Sequence, residues 1–141
     1  MKKNNLLLFL IGSLFVFSVS CHVFVRPKGE SLKQSWQRYW TYLKQKKFKK
    51  AFYYEHLSLS PGRTPEDYAA NIGLKVKNFE FIEIGKEGSG PMGSTPIKMR
   101  LVTNWPPIIH IKGDRVIIKN DYWVKKNNKW YHLRRGLTGW W

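Results

Sequence analysis

The apolar positions of this chain change their spacing twice. Over residues 6–19 they form a nearly unbroken run. From Leu32 to Phe52 they recur at intervals of three and four, and beyond Gly73 they alternate. The middle region predicts helices and the last predicts strands. Ser31-Leu32-Lys33-Gln34 has the form of a capping box, with serine at the cap and glutamine three positions on. It predicts a helix to about Gln45 whose single apolar stripe is Leu32, Trp36, Tyr39, Trp40 and Leu43. A second helix is expected over about 48–56, presenting Phe48, Ala51, Phe52 and Tyr53 or Tyr54. Ser58-Leu59-Ser60-Pro61-Gly62 breaks the chain. Thr64, with Pro65 at the first helical position and Glu66 and Asp67 in the first turn, opens a third helix, and Gly73 supplies its stop.

Residues 75–84 read as a strand rich in Phe and Ile. Residues 85–93, Gly-Lys-Glu-Gly-Ser-Gly-Pro-Met-Gly, lack the Gly-Lys-Ser/Thr ending of a phosphate-binding loop and read as a hairpin connection. Ile97, Met99, Leu101 and Thr103 alternate with Lys98, Arg100 and Val102, which predicts a strand with one buried face. Trp105-Pro106-Pro107 interrupts the pattern. A short strand over 108–111, a two-residue turn at Gly113-Asp114, a long strand over 115–126, a turn at Asn127-Asn128 and a closing strand over 129–135 follow. The expected fold class is α+β, three N-terminal helices packed on a curved antiparallel sheet over residues 31–136, with 137–141 an aromatic tail. That Gly139-Trp140-Trp141 tail either covers an opening or sits at a membrane interface, where tryptophan is favoured.

Pairing across Gly113-Asp114 sets the faces. Ile111 falls opposite Val116 and Ile109 opposite Ile118, and directly paired side chains share a face. These four are expected to point inward, followed by Asn120, Tyr122, Val124, Tyr131 and Leu133. Ile117, Asp121, Trp123, Trp130, His110 and His132 then fall on the outer face.

The first residues carry a different signal. A basic head at Lys2 and Lys3, an apolar run over 6–19, and Ser20 before Cys21 have the layout of a secretory signal. A cysteine just after the cut resembles a bacterial lipoprotein site, with Cys21 as the acylated residue. Ser18 stands where that signature usually has Leu. His22-Val23-Phe24-Val25 prolongs the apolar character. An uncleaved anchor over 6–25 is therefore the alternative, since it reaches the length of a span, about 20 residues. Plain secretion is the third reading; in the first two, the domain is expected to hang from a membrane, in the cell envelope and facing away from the cytoplasm, by a tether over 21–30. One cysteine makes no internal disulfide, and acylation gives it a role.

The remaining length suits one ordinary domain. The formal charge of +16 loses only Lys2 and Lys3 with residues 1–20. Such a charge attracts lipid headgroups, acidic glycans or nucleic acid, or simply solubilises the surface. Lys44, Lys46, Lys47, Lys49 and Lys50 cluster near a helix end, where cations suit the dipole. No nucleic-acid motif is present, and nucleic acid is not expected as a partner.

Two segments carry a family resemblance. Residues 39–52, Tyr-Trp-Thr-Tyr-Leu-Lys-Gln-Lys-Lys-Phe-Lys-Lys-Ala-Phe, look like a first helix, break and second helix. Residues 122–131, Tyr-Trp-Val-Lys-Lys-Asn-Asn-Lys-Trp-Tyr, look like a last hairpin. Together with three helices before a sheet, they resemble the nuclear transport factor two-like, or SnoaL-like, superfamily. The resemblance implies a cone-shaped pocket between helices and sheet, not an activity. Enzymes of that family place an acid-base pair such as Asp/His inside the cone.

The candidate pocket lining is Tyr39, Trp40, Asn120, Tyr122 and Tyr131, which offers no carboxylate and no histidine for acid-base work. His110 and His132 make too small a set for a metal site and read as surface histidines. His56 reads as a helix-terminal cation. No catalytic residue, metal or cofactor is expected. Ile117, Trp123 and Trp130 form the candidate interaction face, for a protein partner or a second copy. The reading from sequence is a membrane-tethered, non-enzymatic binding or interaction module. A small-molecule carrier for an apolar ligand, or an enzyme using the cone pocket, is the alternative.

Overall fold

The computed structural model describes residues 24–105, 111–136 and 139–140. Cys21, Ile108, Ile109, His110 and Trp141 lie outside these residues. The capping box forms as read: Ser31 Oγ accepts from the Gln34 amide and the Gln34 side chain accepts from the Ser31 amide. It starts helix α1, Leu32–Lys44, whose apolar stripe is buried along its length. The helix ends in a Schellman turn, which satisfies its last carbonyls. The Lys47 amide donates to the Tyr42 carbonyl (2.8 Å) and the Lys46 amide to that of Leu43 (3.1 Å). Lys46 itself is left-handed, at φ 57°.

Helix α2, Phe48–Phe52, is shorter than the pattern predicts. The chain turns at Tyr53 and Tyr54, passes through an extended Glu55, and forms a 3-10 turn over His56–Leu59. Helix α3, Pro65–Asn71, begins where Thr64 Oγ1 accepts from the Asp67 amide.

Strands β1 (Val76–Ile84), β2 (Thr95–Asn104), β3 (Asp114–Lys126) and β4 (Lys129–Leu133) pair antiparallel in that order. Two short strands, β5 (Arg135–Gly136) and β6 (Gly139–Trp140), make a separate hairpin. The β2 alternation is as expected, with Ile97, Met99 and Leu101 buried against α1 and its neighbours. Asn127 and Asn128 join β3 to β4 and are both left-handed, at φ 48° and φ 60°. A two-residue hairpin turn requires that backbone, and asparagine tolerates it. The glycine-rich connection folds back on β3. A Cβ on Gly90 would stand 2.7 Å from the Tyr122 ring and 2.5 Å from Ser94 Oγ.

The register of β3 differs from the expectation. Asp114 belongs to the strand and pairs with Asn104, so Gly113-Asp114 is not a two-residue turn. Val116 pairs with Val102 and Ile118 with Arg100, while Ile111 lies outside the strands. The residues paired with buried Ile97, Met99 and Leu101 are Asp121, Lys119 and Ile117. That is the face turned to the helices. Val116 and Ile118, expected inside, are 53% and 64% exposed.

The segment read as tether is, in its described part, built into the fold. Phe24 packs against Tyr42 and Tyr53. The Arg26 guanidinium is buried 3.9 Å from the centre of the Tyr54 ring, and it donates to the carbonyls of Tyr53 (3.0 Å) and Trp130 (2.8 Å). Glu30 accepts from Tyr54 and pairs with Arg38. Among the described residues no helix is long and apolar enough to cross a membrane.

Candidate functional site

Because the helix-facing side of β3 and β4 carries Asp121, Trp123 and His132, those polar groups enter the core and must be satisfied there. His132 lies between two carboxylates. Its Nδ1 is 3.0 Å from Glu55 Oε2 and its Nε2 is 2.9 Å from Asp121 Oδ1. Glu55 Oε1 accepts from the hydroxyls of Tyr39 (2.5 Å) and Tyr68 (2.8 Å). Asp121 Oδ2 accepts from the indoles of Trp40 (2.8 Å) and Trp123 (3.0 Å). All four carboxylate oxygens thus have a donor. The Tyr39 ring stacks on the imidazole, with centroids 4.6 Å apart.

Burial alone would keep these groups neutral; the mutual attraction reverses it. Burial pulls His132 down, but Asp121 and Glu55 raise its pKa to about 9. Burial pushes Asp121 up, but the His132 imidazolium and the Lys119 ammonium, 3.5 Å from Oδ1, hold it well below the carboxylate range. Glu55 is lowered in the same way, burial being outweighed by His132 and three hydrogen bonds. Tyr39 is raised by burial and by the Glu55 charge, so it stays a donor. At neutral pH the network is an imidazolium between two carboxylates, with both ring nitrogens donating. The imidazolium has no free lone pair to take a proton. What the network does is join α1, α3, Glu55, β3 and β4.

This corrects several expectations. The inner face does hold a histidine and a carboxylate, and His132 is a core residue at 6% exposure. Ile117, Trp123 and Trp130 share a face as read, but it is the helix-packed one: Trp123 is fully buried and Trp130 packs on the core. Tyr39 and Trp40 are core rather than open wall. Asn120, Tyr122 and Tyr131 lie on the opposite face, where Tyr131 packs with Val124 and Leu133. His56 opens the 3-10 turn, and burial with Lys126 nearby lowers its pKa, which disfavours the expected cation. Glu55 escapes a reading of the sequence; its one signal is a lone acid following an aromatic run, Phe52-Tyr53-Tyr54.

The open space lies elsewhere on the same face. A cavity of about 380 Å³ is bounded by Leu74, Trp105 and Ile117, with Lys75, Arg115 and Arg134 at its wall and no carboxylate among the described lining residues. The Arg115 guanidinium is 5.3 Å from the Trp105 ring centre. Among the described residues neither arginine has an ion-pair partner. Asn104 also lines the cavity, and its buried Oδ1 lacks a hydrogen-bond partner among the described residues. A second cleft of about 290 Å³ lies between β3 and the start of β5. Buried Asp121 and His132 line it together with Lys119, Arg134 and Arg135. Among the described residues no acidic, cysteine or histidine cluster suits a metal.

Comparison with family models, with curated proteins and with solved structures returned no match for this chain.

Proposed function

We propose that this is a membrane-tethered binding domain of the cell envelope, nuclear transport factor two-like in kind, whose cavity takes a small apolar molecule with an anionic group. The observation that carries the reading is the cavity wall: apolar Leu74, Trp105 and Ile117 beside three cations that have no counter-charge among the described residues. Its size falls within the range of small-molecule sites, about 300–1,000 Å³. The order of three helices before an antiparallel sheet supports the family reading. The reading is non-enzymatic because the acid-base cluster of His132, Glu55 and Asp121 is consumed by its own hydrogen bonds.

The test uses two fluorescent probes that differ by one sulfonate: anilinonaphthalene sulfonate and its neutral parent, phenylnaphthylamine. The sulfonate is expected to bind tighter, and R115Q/R134Q to weaken it about tenfold, or ~1.4 kcal/mol, while leaving the neutral probe unchanged. Equal affinity for both probes, or no effect of the double substitution, rejects the ligand class. The tether has its own test, the intact mass of detergent-extracted protein. A chain beginning at an acylated Cys21 is expected. An unmodified chain beginning at Met1 rejects the lipoprotein assignment.

A further inference from the structure

The lysines at the α1–α2 junction lie next to the point where the chain enters the fold. Phe24, the first described residue, rests on Tyr42 in the last turns of α1, with ring centroids 5.8 Å apart. The Lys47 amide is bonded to the Tyr42 carbonyl, and the Lys50 ammonium lies 5.6 Å from the Phe24 ring centre. Among the described residues Lys46, Lys47 and Lys50 have no ion-pair partner, whereas Lys49 pairs with Glu66 and Lys44 donates to Asn78. All five are exposed.

We infer that this lysine face lies against the membrane that holds the chain and binds its anionic lipid headgroups. The inference rests on the tethering proposed above, by either route. Three residue steps separate Cys21 from Phe24, a reach of at most about 10 Å. An uncleaved apolar helix would run into the same point. Because Phe24, Arg26 and Glu30 are packed down, the short link cannot be lengthened by unwinding residues 24–30 without breaking buried contacts. The α1–α2 junction is therefore held close to the bilayer, and unpaired lysines within about a Debye length, roughly 8 Å at physiological salt, feel an anionic surface.

Lys46 adds a second argument. It occupies the left-handed position after α1, where glycine is usual and a side chain is disfavoured. A charge is placed there against the local backbone preference, which points to a use for the charge.

The experiment is amine-reactive labelling of the full chain in vesicles of phosphatidylcholine, with and without phosphatidylglycerol, read residue by residue by mass spectrometry. Lys86, in the connection beyond the far end of β1, and Lys98 serve as references. Vesicle flotation is measured on the same samples. The expected result is co-flotation with both vesicle types, with about five-fold slower labelling of Lys46, Lys47 and Lys50 in the anionic ones. High salt should remove the difference, and the references should be unaffected. Co-flotation with equal labelling in both vesicles overturns the lysine contact and leaves the tether standing. Failure to float overturns the tether and this inference together. Protection that persists in neutral vesicles overturns the headgroup contact by assigning the face to packing.

Discussion

His132 and its two carboxylates couple the stability of this molecule to pH on both sides of neutrality. The folded pKa of His132 is raised to about 9, above the unfolded value of about 6.5. Its contribution to stability is therefore fully present below about 6.5 and is lost as pH rises through 9. Asp121 and Glu55 are shifted the other way. Their contribution is present above the unfolded carboxylate range, near 4, and fades on acidification. Urea midpoints are expected to be highest between about pH 5 and 6.5 and to fall steadily towards pH 9. A midpoint that stays flat over the alkaline range rejects a charged His132. His132→Gln leaves two buried carboxylates without the cation between them, and only Asp121 keeps a neighbouring ammonium, that of Lys119. It is expected to cost about 3–5 kcal/mol at neutral pH and to abolish the alkaline fall. Little of this was legible in the sequence. Asp121, Trp123 and His132 follow from the Asn127-Asn128 turn as neighbours on one face, but nothing local says which face is buried. Glu55 comes from another element, and only the tertiary fold brings it within 3.0 Å of the imidazole.

At the scale of elements, the signals that acted locally were readable: the Ser31–Gln34 box, the Thr64-Pro65 start and the alternation from Ile97 to Thr103 all produced their structures. What failed was the inference across a turn. Gly113-Asp114 resembles a hairpin, yet Asp114 is claimed by pairing with Asn104 and by an ion pair to Lys77. Using β2 as the reference strand would have placed Ile117 inside, because Leu101 is its partner. Two substitutions test the backbone account. Lys46→Gly relieves the left-handed side chain after α1 and is expected to stabilise by about 1 kcal/mol, seen as a higher melting temperature. Gly90→Ala is expected to destabilise by about 1–3 kcal/mol, because its methyl would enter the Tyr122 ring and Ser94 Oγ. Gly90 itself has an ordinary extended backbone, φ −94°. A neutral result would therefore show that Tyr122 moves aside freely.

For the whole molecule, the cavity and the lysine face sit on the two sides of the link between α3 and β1, and a smaller groove runs between them. Leu74, Lys75 and Asn104 border both the cavity and that groove, whose other wall includes Lys44 and Lys46. The cavity was not legible from the chain alone, since it gathers residues far apart in sequence; the lysine cluster was, but not its place beside the entering Phe24. The segment over 24–30 hides its role for a related reason: Pro27 and Gly29 read as linker, while Arg26 finds its partners at Tyr53, Tyr54 and Trp130. That arginine also acts on the sheet's free margin. β4 is an edge strand, and two of its outward main-chain groups are taken up, the Trp130 carbonyl by Arg26 and the His132 amide by the Tyr54 carbonyl. Groups so occupied are withheld from pairing with another strand. Arg26→Ala opens part of the edge, and the expected consequence is self-association that grows with concentration, measurable by light scattering before any loss of helix signal. In this protein, the residue that fastens the entering chain also occupies one main-chain acceptor of the β4 edge.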